Sequence, residues 1–220
     1  MTAGESGIQP RQKPLLRGVL HEVAAFGALA GWIGLALAAP NAPARAAAIV
    51  YGATLFVLFA ASALYHRPNW PTRARLVMRR IDHSAIFLLI AGTYTPFCLV
   101  LGGRLGRTML AVAWGGALLG LLRAIFWPKA PRPLAAGAYV LLGWVVVPVL
   151  PSLWAALGSG AMALLALGGL LYTLGAVIYA TRRPDPFPRV FGFHEVFHAL
   201  VVGAAACHFA VVAATLRAIR

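Results

Sequence analysis

Residues 46–66 read AAAIVYGATLFVLFAASALYH, in which twenty residues without a charged side chain lead to His66. A helix that crosses the hydrocarbon core of a bilayer needs about 20 mainly apolar residues, so this stretch predicts a transmembrane helix. The whole chain of 220 residues is similar, with 61% hydrophobic and 11% charged residues. Soluble domains carry about 25% charged residues. The composition therefore excludes an ordinary soluble domain and an intrinsically disordered chain.

Six further apolar runs accompany this one. Strands of a membrane β-barrel alternate apolar and polar residues, so uninterrupted runs favour helices. We predict an all-α membrane protein built as a bundle of seven transmembrane helices. The predicted helices cover residues 18–39, 46–66, 81–101, 108–127, 134–151, 159–181 and 192–214.

The basic residues are unevenly divided between the two sides of this bundle. Connections on the side of the N-terminus hold 14 of the 19 Lys and Arg residues, and the other side holds five. Because cytoplasmic loops carry the excess of Lys and Arg, the N-terminus is predicted in the cytoplasm and the C-terminus outside. Residues 1–17 then form a cytoplasmic basic leader, residues 18–216 the seven-helix domain and residues 217–220 a short external tail. We expect a multi-pass protein of a bacterial-type inner (plasma) membrane.

The formal net charge of +14 bears on the partners of the protein. In a soluble protein such a charge would suggest nucleic acid, but basic loops between membrane helices instead favour anionic lipid headgroups. We expect those headgroups and a membrane lipid, as substrate or ligand, to be the partners, and no nucleic acid. Nothing in the sequence identifies a protein partner.

Ionisable residues gather where three predicted helices meet the cytoplasmic face. They lie in residues 62–66 (SALYH), 81–84 (IDHS) and 193–198 (FHEVFH). Ionisable groups within membrane spans are costly and usually face the bundle interior or a cavity. Each is therefore a functional candidate.

The spacing of these residues suggests a metal site. His194 and His198 are four residues apart, so they share a helix face and can present two imidazoles to one metal ion. Catalytic zinc typically has three protein ligands and an open fourth position, and His66 at the same depth completes such a set. Asp82 could then accept a proton from a water at the metal. Ser62, one turn deeper than His66, points to the same volume.

Simpler interpretations exist for each residue. The three histidines could be separate interfacial side chains bonded to carbonyls or headgroups. Asp82 could form an ion pair with Arg79 or Arg80, and Ser62 could bond to a carbonyl of its own helix.

Residues 194–198 also match the HExxH pattern of zinc peptidases, in which the Glu is the general base. Metzincins continue this pattern with Gly and His, where this chain has Val201 and Ala204. An ion pair of Glu195 with Arg189, or a bond close to the metal, is thus at least as good an interpretation as catalysis.

These residues, with the seven-helix plan, resemble the hemolysin III family of the progestin and adipoQ receptor (PAQR) superfamily, which is related to the alkaline ceramidases. The resemblance spans nearly the whole chain. It implies zinc as the cofactor and His66, His194 and His198 as its ligands. It also implies Asp82 as the carboxylate that hydrogen-bonds the water at the zinc, and Ser62 as the serine of the second-helix motif.

The same resemblance implies a function. We expect a zinc-dependent hydrolase that acts on a lipid amide or ester at the inner leaflet, as a ceramidase does. Two alternatives remain: a non-enzymatic lipid-sensing or membrane-homeostasis protein with a structural zinc, and a cytolysin, which the hemolysin name implies. Because the polar residues largely stop near the inner leaflet, a pore is the weakest of the three.

Two other histidines lie outside this set. His208 is roughly 15 Å deeper than His198, too far for the same metal, and is interpreted as a histidine bonding across the bundle or as part of a polar path. His21 and Glu22 begin the first helix at the inner face and could support the site, but we expect them to be solvated interfacial residues.

Overall fold

The structure is a computed structural model that describes residues 13–219, so residues 1–12 of the predicted leader and residue 220 of the predicted tail lie outside the described residues. The described chain forms seven α-helices, and a 3₁₀ segment (Trp144–Val149) joins the fifth to the sixth. The helices are α1 (Val19–Ala38), α2 (Ala42–His66), α3 (Thr72–Leu101), α4 (Gly103–Phe126), α5 (Arg132–Gly143), α6 (Leu150–Thr181) and α7 (Phe193–Ala218).

The helices have the length and composition of membrane spans. Within the described residues, six helical stretches are long and apolar enough to cross a membrane. Five of them are α1 to α4 and α7, and the sixth is the 50-residue stretch Arg132–Thr181, which contains α5, the 3₁₀ segment and α6. The all-α membrane fold predicted from the sequence is confirmed. The count of seven spans and the orientation stay predictions.

The chain turns back within the stretch Arg132–Thr181. Gly158 has φ 78° and ψ 173°, a backbone conformation that glycine adopts readily and that interrupts the helix. The indole Nε1 of Trp144 donates a hydrogen bond to Oγ1 of Thr173 at 3.0 Å. Trp144 precedes Gly158 by 14 positions and Thr173 follows it by 15. Two residues about equally far on either side of Gly158 can meet only if the two halves of the stretch run alongside each other.

Five helices begin earlier than predicted: α2, α3, α4, α5 and α6 begin at residues 42, 72, 103, 132 and 150 rather than at 46, 81, 108, 134 and 159. α3 begins at Thr72, after Pro71, rather than at residue 81, because its arginine-rich first turns are helical as well. Arginine has a high helix propensity, and the charge that marked this segment as a connection does not oppose helix formation. α2 begins at Ala42, where the side chain of Asn41 accepts a hydrogen bond from the backbone N–H of Ala44 at 2.9 Å.

Small residues bring the central helices close together. A Cβ added at Gly52 of α2 would overlap the indole of Trp32 in α1, and one added at Gly92 of α3 would overlap the side chain of Thr54 in α2. Close approach through small residues is typical of helix packing in membranes. α2 is thereby packed tightly between α1 and α3, with its last turn at one end of the bundle.

That end of the bundle, where α2 finishes and α3 and α7 begin, is called the site end below. The segment before α1 lies across it. The ammonium of Lys13 donates to the carbonyl of Arg67, at the end of α2, at 2.6 Å. The backbone N–H of Leu15 donates to the carbonyl of Arg189, just before α7, at 3.0 Å. The last residues of the predicted leader are thus attached to both helices that carry the candidate histidines.

Candidate metal centre

Three histidines meet at the site end from two helices. His66 is the last residue of α2, and His194 and His198 lie in the first two turns of α7. The spacing of four residues places both rings of α7 on one face, toward the end of α2. His194 and His198 are buried, and His66 is half-buried.

The ring nitrogens are close enough to share one ion. Nε2 of His66 and Nε2 of His194 are 3.1 Å apart. The ligand atoms of all three histidines lie within 4.8 Å of one another. Two nitrogens bound to one tetrahedral zinc at about 2.0–2.1 Å are themselves about 3.4 Å apart. The structure thus brings the three predicted ligands together in an arrangement that fits zinc, and that they hold the metal stays a prediction.

Asp82 and Ser62 lie beside the three histidines. Both side chains are buried. Both line the same cavity as the histidines. Asp82 does not belong to the group of ligand atoms within 4.8 Å of one another. The described residues therefore offer three imidazoles and a nearby carboxylate rather than four ligands.

His21 lies against the site, the less favoured of the two interpretations drawn from the sequence. It was expected to be solvated, but only 2% of its surface is exposed. Its ring lies parallel to that of His198, with the ring centroids 3.8 Å apart and an interplanar angle of 12°. The sequence feature that pointed to this role is the position of His21 in the first turn of an apolar helix that begins at the site end. Its neighbour Glu22 is partly exposed, and its carboxylate pairs with Nε of Arg67 at 2.8 Å.

Glu195 is fully engaged in structural contacts. One carboxylate oxygen, Oε1, accepts a hydrogen bond from Nε of Arg17 at 2.5 Å. The other, Oε2, accepts the backbone N–H of Gly192 at 2.9 Å and so caps α7. Its ion-pair partner is Arg17 in the segment before α1, not Arg189 as expected. Because both carboxylate oxygens of Glu195 are engaged in these contacts, the structure does not support Glu195 as a general base, the role that the Glu has in HExxH peptidases.

His208 lies deeper in the bundle, away from the three histidines. Its Nε2 is 3.2 Å from the carbonyl oxygen of Leu165 in α6, and its ring meets that of Tyr172 edge-on at 5.3 Å. Of the two interpretations, bonding across the bundle matches this contact. The residue joins α7 to α6 and takes no part in the group of convergent nitrogens.

A single large cavity extends from the histidines into the bundle. Its volume is about 1700 Å³. Beyond the site end it runs between α3, α5 and α6, where Tyr94, Trp144 and Met162 are among the residues that line it. Small-molecule cavities of this kind are mostly apolar with a few convergent polar groups. The charged side chains that line the cavity lie at the site end, near the candidate metal ligands, whereas Thr93, Thr173 and His208 are among the polar groups that line its depth.

The mouth of this cavity is strongly basic. Lys13, Arg17, Arg75, Arg79 and Arg132 all line it. Partial burial, together with the charges of nearby arginines, lowers the pKa of the Lys13 ammonium. An anionic group would therefore be favoured at the entrance.

Comparison with known proteins identifies several relatives of this chain. The chain is 36% identical over 161 residues to the "Hemolysin-3 homolog" of Bacillus subtilis. This match covers 73% of this chain and 72% of the relative. It is 36% identical over 170 residues to "Hemolysin-3" of Bacillus cereus, covering 77% and 74%. A more distant similarity, 32% identity over 149 residues, links it to the "Adiponectin receptor protein" of Drosophila melanogaster, of which it covers 33%.

The family model described as "Haemolysin-III related" matches residues 10–209. This range contains every candidate site residue described above. Together with the apolar helices and the bacterial relatives, it identifies a multi-pass integral protein of the plasma membrane. The resemblance drawn from the sequence is confirmed: the chain belongs to the hemolysin III family and, through it, to the PAQR superfamily.

Proposed function

We propose that the protein is a zinc-dependent hydrolase that cleaves an amide or ester bond of a membrane lipid. One observation carries this proposal: three convergent imidazoles, a buried carboxylate and a serine hydroxyl line one end of a large cavity. An enzyme that acts on a lipid needs these two parts side by side, reactive groups and space for a chain.

His66, His194 and His198 would hold the metal. When bound, zinc supplies Lewis-acid chemistry and lowers the pKa of a water from 15.7 to about 7. Three protein ligands leave a fourth position for water or substrate, whereas structural zinc sites are usually closed by four protein ligands. The three-nitrogen group thus supports a catalytic rather than a purely structural site.

Asp82 serves as the general base. Its carboxylate accepts a proton from the attacking water and can return it to the leaving group. Ser62 lines the same cavity, and its hydroxyl would donate a hydrogen bond that orients this carboxylate. Since both oxygens of Glu195 are engaged by Arg17 and Gly192, Asp82 is the better candidate for the proton transfer.

The cavity accommodates the lipid. Its apolar depth accepts an acyl chain, and its basic mouth attracts anionic headgroups. We place the mouth at the inner leaflet, in a seven-span topology with a cytoplasmic N-terminus. The reversal at Gly158 supports seven spans, because a straight helix of 50 residues would be about 75 Å long, more than twice the hydrocarbon thickness of about 30 Å.

A non-enzymatic lipid receptor is the second candidate. The similarity to a protein named "Adiponectin receptor protein" favours it, and the same cavity would bind a lipid without cleaving it. A cytolysin, suggested by relatives named "Hemolysin-3", finds less support, because the cavity beyond the histidines is lined chiefly by apolar and aromatic side chains.

The deciding experiment combines elemental analysis with a lipid assay. The purified protein is incubated with membrane lipid amides and esters, including ceramide, and products are measured by mass spectrometry. We expect about one zinc per chain and a free fatty acid product, both lost in His66→Ala and retained in Glu22→Gln, which changes an exposed ion pair at the same end. Zinc without any product would reject the hydrolase and favour the receptor. Absence of zinc would reject the hydrolase.

A further inference from the structure

One arginine of the large cavity is held against two aromatic rings beside the candidate metal ligands. Arg132 is the first residue of α5, and it meets Tyr179 in the last turn of α6 and Phe193 at the start of α7. Its guanidinium carbon lies 5.6 Å from the ring centre of Tyr179 and 5.7 Å from that of Phe193. Ring faces attract a cation at such distances. Three helix ends thus fix one positive charge at the site end.

The same two rings lead to the metal site. The ring centre of His194 is 6.0 Å from that of Tyr179 and 5.9 Å from that of Phe193. The guanidinium of Arg132 is therefore at most two such steps away from the imidazole of His194. All four side chains line the large cavity. A lipid that fills this cavity can contact both the arginine and the candidate metal centre.

The donors of Arg132 are not all used within the described residues. Its Nη1 is inaccessible to solvent and has no hydrogen-bond partner there. Arg132 takes part in none of the ion pairs found among those residues. Asp185, which also lines the cavity, accepts the backbone N–H of Phe193 at 2.8 Å. Ring faces do not replace the in-plane hydrogen bonds of a guanidinium, so this buried donor calls for an oxyanion.

The cavity has room for a lipid that carries such an oxyanion. Its depth is mainly apolar and suits acyl chains, and Lys13, Arg17, Arg75 and Arg79 add positive charge to the mouth where Arg132 lies. In a phospholipid the glycerol joins the phosphate to the acyl esters, only a few covalent bonds away. One ester can therefore lie at the histidines while the phosphate contacts the guanidinium. A neutral lipid such as ceramide would leave Arg132 without an oxyanion.

We propose that Arg132 is a specificity-determining residue that binds the phosphate of the substrate, and that the substrate is a phospholipid ester. This inference rests on the proposed hydrolase function. The oxygen of a water bonds to the acyl carbonyl carbon, the bond from that carbon to the glycerol oxygen breaks, and the proton held by Asp82 passes to the glycerol oxygen. The products are a fatty acid and a lysophospholipid. A small rotation of the guanidinium turns Nη1 toward the phosphate.

The test compares two lipids with the same chains and ester bonds, dioleoylphosphatidic acid and dioleoylglycerol. Release of oleic acid by the zinc-loaded full-length protein is measured in micelles of a neutral detergent. We expect the wild type to favour phosphatidic acid about tenfold in kcat/KM, the effect of one or two charge-assisted hydrogen bonds. In Arg132→Gln this preference should disappear, with about one zinc per chain retained. Arg80→Gln, which removes the same charge from an exposed position outside the cavity, should keep the preference within about twofold.

A binding experiment makes the result independent of turnover. Dialkyl ether analogues of the two lipids have no ester to cleave, and native mass spectrometry measures their affinities with inorganic phosphate as a competitor. If neither ester is hydrolysed but the ether phosphate binds more tightly, and Arg132→Gln removes that difference, the hydrolase is rejected and the phosphate site stands. Inorganic phosphate that binds through Arg132 without displacing the ether lipid would reject the lipid as the source of the phosphate.

Two outcomes would overturn the role of Arg132. The first is equal hydrolysis of both esters by the wild type, which would leave the hydrolase itself in place. The second is the same loss of preference in Arg80→Gln as in Arg132→Gln. If Arg132→Gln does not fold, Arg132→Lys keeps the charge but not the planar fork of donors, and the preference should fall about threefold. An unchanged preference in that variant would count against the guanidinium.

Discussion

Nε of Arg17 donates a hydrogen bond to Oε1 of Glu195 at 2.5 Å, across 178 positions of the chain. The contact attaches the segment before α1 to the first turn of α7, the turn that carries His194. Glu195 is 1% exposed and Arg17 20% exposed. The carboxylate within the HExxH pattern thus stabilises the start of a helix.

Glu195→Gln should lower the free energy of unfolding by about 2 kcal/mol while leaving zinc bound. The amide can still accept the backbone N–H of Gly192, but the guanidinium of Arg17 loses its charged partner in a buried position. Thermal unfolding in detergent and elemental analysis measure the two effects. Glu22→Gln breaks the exposed pair with Arg67, both 45% exposed, and should cost less than about 1 kcal/mol. Loss of zinc in Glu195→Gln would contradict the structural role.

Removal of any one imidazole should weaken metal binding. In His194→Ala the bound zinc should fall well below one per chain, since two nitrogens hold the ion far less tightly than three. His208→Ala removes the same side chain from deeper in α7 and should keep the wild-type zinc content. Elemental analysis of both variants checks this. Unchanged stoichiometry in His194→Ala would remove that residue from the ligand set.

Asp82→Asn should separate catalysis from metal binding. The amide keeps the size of the side chain but cannot accept the proton, so hydrolysis should fall about 100-fold or more. Zinc content should stay near one per chain, because Asp82 stands outside the three-nitrogen group. Ser62→Ala, which removes the hydroxyl proposed to orient Asp82, should reduce the rate about tenfold. Loss of zinc in Asp82→Asn would show instead that the carboxylate is a ligand.

The ring of His21 should hold His198 in place. Its parallel contact at 3.8 Å limits rotation of the His198 imidazole. His21→Ala should therefore weaken zinc affinity about tenfold, within the range found for residues that support metal ligands. His21→Phe restores a flat ring and should recover most of the affinity. Competition with a zinc chelator provides the measurement. Equal losses in both variants would exclude the stacking role.

The proposed topology can be tested by cysteine labelling. Cys98 and Cys207 are first replaced by alanine, and single cysteines are introduced at three exposed positions, Asn69, Arg104 and Ser159. In intact cells a membrane-impermeant maleimide should label positions 104 and 159 but not 69. Permeabilised cells should show labelling at all three. Labelling of position 69 in intact cells would reverse the orientation, and protection of position 159 would contradict the seventh span.

The sequence by itself determined the class of the protein and the depth of its functional residues. Long apolar runs predict membrane helices. In a bilayer every backbone polar group must be paired, and a helix pairs them all within its own segment. The spacing of His194 and His198 decides that they share a face, because helical periodicity is a local property. His66 at the end of α2 follows from the length of the apolar run alone.

Only the tertiary structure decided which side chains meet. The stack of His21 on His198 and the pairing of Arg17 with Glu195 each join different segments of the chain. The sequence analysis misassigned His21 and the partner of Glu195 for this reason. A helix's own sequence sets which of its residues lie on one face, but its rotation against its neighbours depends on how the small residues and rings of several helices pack at once.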